Sequence, residues 1–237
     1  MRIGFCQFEL EVGKPEKNYQ KARRLLDVEE FDLVILPELF AVGALFVKGI
    51  PYRKFSEYVP DGESGVFLHE IARKKNAMVA GGVCEKKGKI IYNTSVLFGP
   101  EGYIGRKRKL WIPREEIRHF TKGDLPETYS RTNINAGLFV CADCTLDKNW
   151  DALEKGGCQL VCVSANVCGF DLIERAGMEA KKREMYVIFA NCIGAPWDTG
   201  NKVRYVGNSI IYGKNGEVLL QAGEEEGCGF VDISFHS

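Results

Sequence analysis

Gly137-Leu-Phe-Val-Cys-Ala-Asp-Cys144 is the stretch on which the reading of this chain turns. A glycine and three apolar residues run into Cys141, and an acidic residue follows two places later. The pattern reads as a buried strand ending at its carboxyl edge, with a thiol held where strand becomes loop. Open α/β sheets bind ligands at that edge, so a nucleophile is well placed there. Buried structural cysteines are also common, so the stretch acquires a function only from its surroundings.

Upstream, residues 2–8 read as a first strand, and 16–30 carry Tyr19, Ala22, Leu25 and Leu26 at helical spacing. Residues 31–36 form a fully buried strand closed by Pro37. The turn Pro60-Asp-Gly-Glu-Ser opens a helix over 65–76, and strands follow at 77–85, at 90–98 and near Tyr103. Residues 107–126 are mostly polar and read as a long functional loop. Beyond Cys141 come a helix near 148–155, a strand at 159–163, an amphipathic helix at 174–185 and a strand at 186–192. Strands near 205–212, 217–220 and 227–233 end the chain. With no linker, repeat or low-complexity segment, residues 1–237 read as one mixed α/β domain.

Lysine plus arginine and aspartate plus glutamate number 32 each, so no global field favours nucleic acid or a membrane surface. The one basic cluster, Arg106-Lys-Arg-Lys109, is too short and isolated to mark a nucleic-acid partner. No apolar stretch is long enough to span a bilayer. The start, Met1-Arg-Ile-Gly-Phe-Cys-Gln, reads as a strand and not as a secretory signal. The nine cysteines are therefore expected to be reduced, in a cytoplasm. Cys141-x-x-Cys144 also fits a redox pair or half a metal site, with Cys158, Cys162 and Cys168 downstream. Against that, Cys158 and Cys162 are four apart around an apolar strand and form no second knuckle.

Other residues gain meaning beside Cys141. Glu38 closes the buried run Asp32-Leu-Val-Ile-Leu-Pro37, which places a carboxylate at a strand end. Lys109 stands beside Leu110 and Trp111, which would desolvate its ammonium, whereas Lys107 reads as a plain surface residue. Glu116 shares the loop, and His119 is a candidate partner for a Cys/His arrangement. A thiol attacking an amide needs a base that takes its proton and later gives one to the leaving amine. It also needs a positive group facing the developing oxyanion. A Cys, a Glu and a Lys at strand ends supply those roles without histidine.

Asp32-Leu-Val-Ile-Leu-Pro-Glu-Leu-Phe40, Arg108-Lys109-Leu-Trp-Ile and Gly137-Leu-Phe-Val-Cys-Ala-Asp143 resemble, in this order, the three signature motifs of the nitrilase superfamily of carbon–nitrogen hydrolases. Asn18, Ala22, Gly82, Glu85, Tyr92-Asn93-Thr94, Gly102, Phe120-Thr-Lys-Gly-Asp124 and Ala190-Asn191-Cys-Ile-Gly194 extend the resemblance nearly end to end. It implies Cys141 as nucleophile, Glu38 as general base and acid, and Lys109 with the Ala142 backbone N–H as oxyanion stabilisers. Glu116 would match the family's second glutamate, orienting Lys109 or substrate, and Asn166 and Trp111 are candidates for the substrate pocket. The implied fold is a four-layer α-β-β-α sandwich, paired into homodimers or larger assemblies.

Departures from the family pattern bear on pocket shape and assembly. Trp111 stands for a frequent histidine, Ala142 for an aromatic, and Lys182-Arg183 for Glu-Asn. The expectation is a cytoplasmic thiol amidohydrolase for a small linear amide or N-carbamoyl compound, with neither metal nor organic cofactor. True nitrile hydrolysis is less expected. The alternatives are amide-dependent acyl transfer or a glutaminase feeding another chain, and a catalytically silent binding protein on the same scaffold.

Overall fold

The computed structural model describes residues 1–44, 52–131, 134–195 and 204–235. The first half runs β1 (Arg2–Gln7), α1 (Pro15–Leu26), β2 (Leu33–Ile35), α2 (Tyr52–Phe55), α3 (Glu63–Lys75), β3 (Met78–Lys87), β4 (Ile90–Gly99) and β5 (Gly102–Arg108). The second runs β6 (Thr128–Arg131), β7 (Ile134–Val140), a 3₁₀ turn (Cys141–Thr145), α4 (Asp147–Lys155), β8 (Leu160–Ser164), α5 (Asp171–Arg183) and β9 (Tyr186–Ala190). Five short strands follow: β10 (Ile193–Gly194), β11 (Tyr205–Val206), β12 (Ile210–Tyr212), β13 (Val218–Gln221) and β14 (Gly227–Asp232).

Two six-stranded sheets, ordered β14-β1-β2-β3-β4-β5 and β13-β12-β9-β8-β7-β6, carry the fold. Each has a parallel centre, β1-β2-β3 in one and β7-β8-β9 in the other, flanked by antiparallel strands. Strand alternation gives each sheet two apolar faces. Ile3, Phe5, Leu33, Ile35, Leu138, Leu160 and Ile188 fill the layer between the sheets. Tyr19, Ala22, Phe67 and Leu68 bury α1 and α3 on the outer face of the first sheet. Trp150, Leu153, Ile173 and Ala176 do the same for α4 and α5 on the second. This is the α-β-β-α sandwich that the resemblance implied.

The topology brings three strand ends to one edge. β2 and β7 are central parallel strands. β5 lies two antiparallel steps from β3 and so runs in the same direction as β3. The residues that follow these strands therefore converge. The expected loop at 107–126 begins later than its polarity indicates, because β5 extends through Arg108. The expected strand at 205–212 is two short ones, β11 and β12, and β6 was not expected at all.

Candidate active site

Glu38 sits just beyond β2, where the chain crosses the middle of β3 at Gly82. The Phe40 N–H donates to the Gly82 carbonyl at 3.0 Å and the Gly82 N–H to the Pro37 carbonyl at 3.1 Å. A Cβ on Gly82 would lie 2.6 Å from the Glu38 Cα, so only glycine admits this approach. The second sheet holds the same residue: the Glu38 N–H reaches the Ala165 carbonyl at 3.4 Å, and Asn166 Nδ2 donates to the Glu38 carbonyl at 2.7 Å. The side chain is 1% exposed. Its Oε1 accepts from Lys109 Nζ at 2.7 Å and from Asn93 Nδ2 at 2.6 Å, while Oε2 is buried without a partner among the described residues.

Lys109 follows β5 and is fully buried. Its backbone is fixed on both sides, by Lys109 N–H to Asn93 O at 2.7 Å and by Gly123 N–H to Lys109 O at 2.9 Å. The ammonium donates to Glu38 Oε1 and, at 2.8 Å, to Glu116 Oε1. Burial works against that charge, but Glu38, Cys141 and Glu116 outweigh it and hold the lysine pKa above its ordinary value. Burial raises the Glu116 pKa, with Lys109 pulling it the other way and Glu38 adding to the rise. Asn93 Nδ2 also lies 3.4 Å from Glu116 Oε2, tying the two carboxylates together.

Cys141 begins the 3₁₀ turn after β7, with φ +46°, in the left-handed region that non-glycine residues seldom occupy. Such strain at a strand-to-turn junction presents a side chain at the sheet edge. The Ala142 N–H is among the first amides of the turn, which have no partner within it. Burial pushes the Cys141 thiol pKa up, Glu38 adds to the rise, and Lys109 and the Asn166 backbone N–H oppose it. Cys141, Glu38, Lys109 and Glu116 thus form one electrostatic cluster.

Several expectations need correction. Lys107 is not a surface residue: it is 3% exposed and paired with Asp143 at 3.3 Å. Strand alternation divides the basic run, placing Arg106 and Arg108 on Glu85 and turning the two lysines to the other face. His119 packs edge-on against Tyr52 at 5.1 Å and beside Phe120, and the charges acting on Cys141 come from the carboxylates and Lys109. Cys144 lies in the core with Phe139 and Trp150, its carbonyl accepting from the Trp150 indole at 2.9 Å. Among the described residues, no group of three or more His, Cys, Asp or Glu could hold a metal ion. Trp111, two residues beyond Lys109, is 47% exposed. Arg183 reaches Glu179, Asp151 and Glu154, so it ties α5 to α4 within the chain. Among the described residues no helix is long and apolar enough to cross a membrane.

Sequence reading gave Asn93 and Asp143 no role. For Asn93 nothing local indicates one, because its partners come from 55 and 23 residues away. Asp143 had a signal, a carboxylate two places after the candidate nucleophile.

The family model for Carbon-nitrogen hydrolase matches residues 2–237. The chain belongs to the carbon–nitrogen hydrolase family and is a hydrolase of the amidase/nitrilase type. It is 27% identical over 241 residues to a nitrilase of Pyrococcus abyssi, a match covering 100% of this chain and 90% of that protein. It is 27% identical over 240 residues to a 2-oxoglutaramate amidase of Bacillus subtilis, covering 95% and 87%. A variant of the amidase from Nesterenkonia sp. AN1 has the same fold, with TM-score 0.83 and 20% identity over 98% of this chain and 90% of that one. In that structure the acetamide moiety of fluoroacetamide is covalently added at the active-site cysteine.

Proposed function

We propose that the protein is a thiol amidohydrolase that cleaves the C–N bond of a small linear amide or N-carbamoyl compound through an acyl-enzyme on Cys141. The observation that carries this reading is Glu38 Oε2, a carboxylate oxygen buried with no partner among the described residues, beside a buried thiol. Buried polar atoms are ordinarily satisfied, so an orphan acceptor marks where a reacting group belongs.

The geometry divides the work. As Cys141 sulfur bonds to the carbonyl carbon, its proton passes to Glu38, which a thiol with a raised pKa requires. The Lys109 ammonium and the Ala142 N–H face the oxygen that gains negative charge. Glu38 then gives the proton to the departing nitrogen, leaving a thioester. Water loses a proton to Glu38, attacks the thioester and releases the acid, and the proton returns to sulfur. Glu116 holds Lys109 in place and charged throughout. Asn166 Oδ1, buried without a partner among the described residues, is an acceptor for a substrate N–H, and the exposed Trp111 contributes to the pocket rim. That the Nesterenkonia sp. AN1 protein and the Bacillus subtilis relative are amidases supports an amide over a nitrile. A cytoplasmic location and self-association belong to the same proposal, the latter tested by light scattering on the purified protein.

Ammonia release across a panel of amides, ureides and nitriles tests the reading, with intact-protein mass spectrometry to trap the acyl adduct. Turnover of an amide with an adduct mapped to Cys141 is expected. No turnover of any panel member by protein whose Cys141 alkylates stoichiometrically would overturn it.

A further inference from the structure

We infer that Lys107 and Asp143 are a positioning pair that fixes the end of β5, and with it Lys109, against the Cys141 turn. Asp143 is fully buried, two residues after Cys141. Its Oδ1 accepts the Leu110 N–H at 2.9 Å and the Trp111 N–H at 3.0 Å, the two amides immediately beyond Lys109. Its Oδ2 accepts the Val140 N–H at 3.3 Å, the amide immediately before Cys141, and faces Lys107 Nζ at 3.3 Å. One carboxylate therefore clamps the residues on either side of the reacting groups, one set on each sheet.

The lysine completes the clamp. Its three ammonium protons meet three acceptors: Asp143 Oδ2, the Arg108 carbonyl at 2.5 Å and the Asp124 carbonyl at 2.7 Å. The last of these also fastens the start of the loop carrying Glu116 to its return at Asp124. Every donor of Lys107 and the four acceptor positions of Asp143 are occupied, so neither group has capacity left for substrate. Their contribution is distance and charge balance. A buried carboxylate stripped of its cation would also add a negative charge, beyond those of Glu38 and Glu116, near a thiol that must ionise during attack.

The inference rests on the amidohydrolase reading, and the experiment separates the two. Lys107→Met, Asp143→Asn, Lys107→Gln and the double variant K107M/D143N are compared with the parent, with Lys87→Met at the exposed end of β3 as control. Turnover is measured per Cys141 site, and the alkylation rate of Cys141 by iodoacetamide is followed by peptide mass spectrometry. Misplacement by an ångström costs up to about 10²-fold, so each single variant should lose roughly 10- to 10²-fold in kcat with KM changed less than about threefold. The double variant should be no worse than the poorer single one, because both break one contact. Alkylation of Cys141 should slow in Lys107→Met and recover in the double variant, where no carboxylate is left unpaired. That alkylation readout stands even if the parent turns over no amide, an outcome that sinks the amidohydrolase reading alone. Parental kcat in any folded single variant, or Cys141 alkylation indifferent to Lys107, overturns the inference. So does loss of fold in all four variants, since the pair would then hold the fold and not the site.

Discussion

Lys107 and Lys109 stand two residues apart at one strand end, both stripped of water, and their surroundings differ in a single respect. Around Lys107 every bond is made: one ammonium, one carboxylate and two carbonyls close on themselves. Around Lys109 there is a surplus. Two carboxylates share one cation, and Glu38 Oε2 and Asn93 Oδ1 have no partner among the described residues. The first arrangement is a joint and the second is a site. A buried charge alone does not mark chemistry; spare acceptor capacity beside it does.

The largest effect that could break this contrast is removal of the nucleophile. Cys141→Ala should abolish turnover while the circular dichroism spectrum keeps its α/β shape, because the side chain is small and the turn is held by Asp143. Activity at the parental level would dissolve the site. Next comes Lys109→Ala, for which a loss of about 10²–10³-fold or more in kcat is expected, the range for a lost oxyanion donor. Lys109→Arg should be nearly as poor, since a planar, longer head group does not fit between Glu38 and Glu116. Steady-state kinetics should show the deficit in kcat more than in KM.

Smaller losses test the surplus itself. Glu38→Gln keeps the shape but removes the proton carrier, costing on the order of 10²-fold or more in kcat at saturating substrate. Glu116→Gln retains an acceptor for Lys109 and should cost about tenfold or less, an orienting effect below the general acid–base range. A pH-rate profile in which Glu116→Gln is the worse of the two at every pH would reverse the assignment. The surplus would then belong to Glu116, whose Oε1 lies 2.8 Å from the lysine.

Much of this architecture was legible because its signals are local. Apolar runs ending at Pro37 and at Cys141 gave the two strand ends, and helical spacing gave α1 and α5. The ordered motifs, by family resemblance, then placed Glu38, Lys109 and Cys141 at one edge. What stayed hidden depends on strand extent and register. The basic run looked like solvated loop because polarity was taken for exposure, yet once β5 reaches Arg108 its period of two sends alternate cations to opposite faces. Asn93 owes its importance to partners brought in from other strands, and Asp143, though its place after Cys141 is plain in the sequence, to partners at Lys107, Leu110 and Trp111 that no spacing rule reports.

The smallest expected effect concerns the other member of the C-x-x-C pair. Cys144 is fully buried among Phe139, Trp150 and Leu153, and burial keeps its thiol pKa well above the ordinary value. A thiol in that condition is a small apolar side chain with little thiolate to offer. The turn is shaped without its sulfur: the Cys144 carbonyl accepts from the Trp150 indole N–H, and Asn149 Nδ2 donates to the Asp143 carbonyl at 3.0 Å. Cys144→Ala should therefore leave kcat within about threefold of the parent under reducing conditions, at a stability cost of about 1 kcal/mol for the lost packing. Thermal unfolding and steady-state kinetics on one preparation separate the two quantities. If activity vanishes while the fold persists, Cys144 takes part in the chemistry. The line between a saturated joint and an open site would then have to be redrawn to include it.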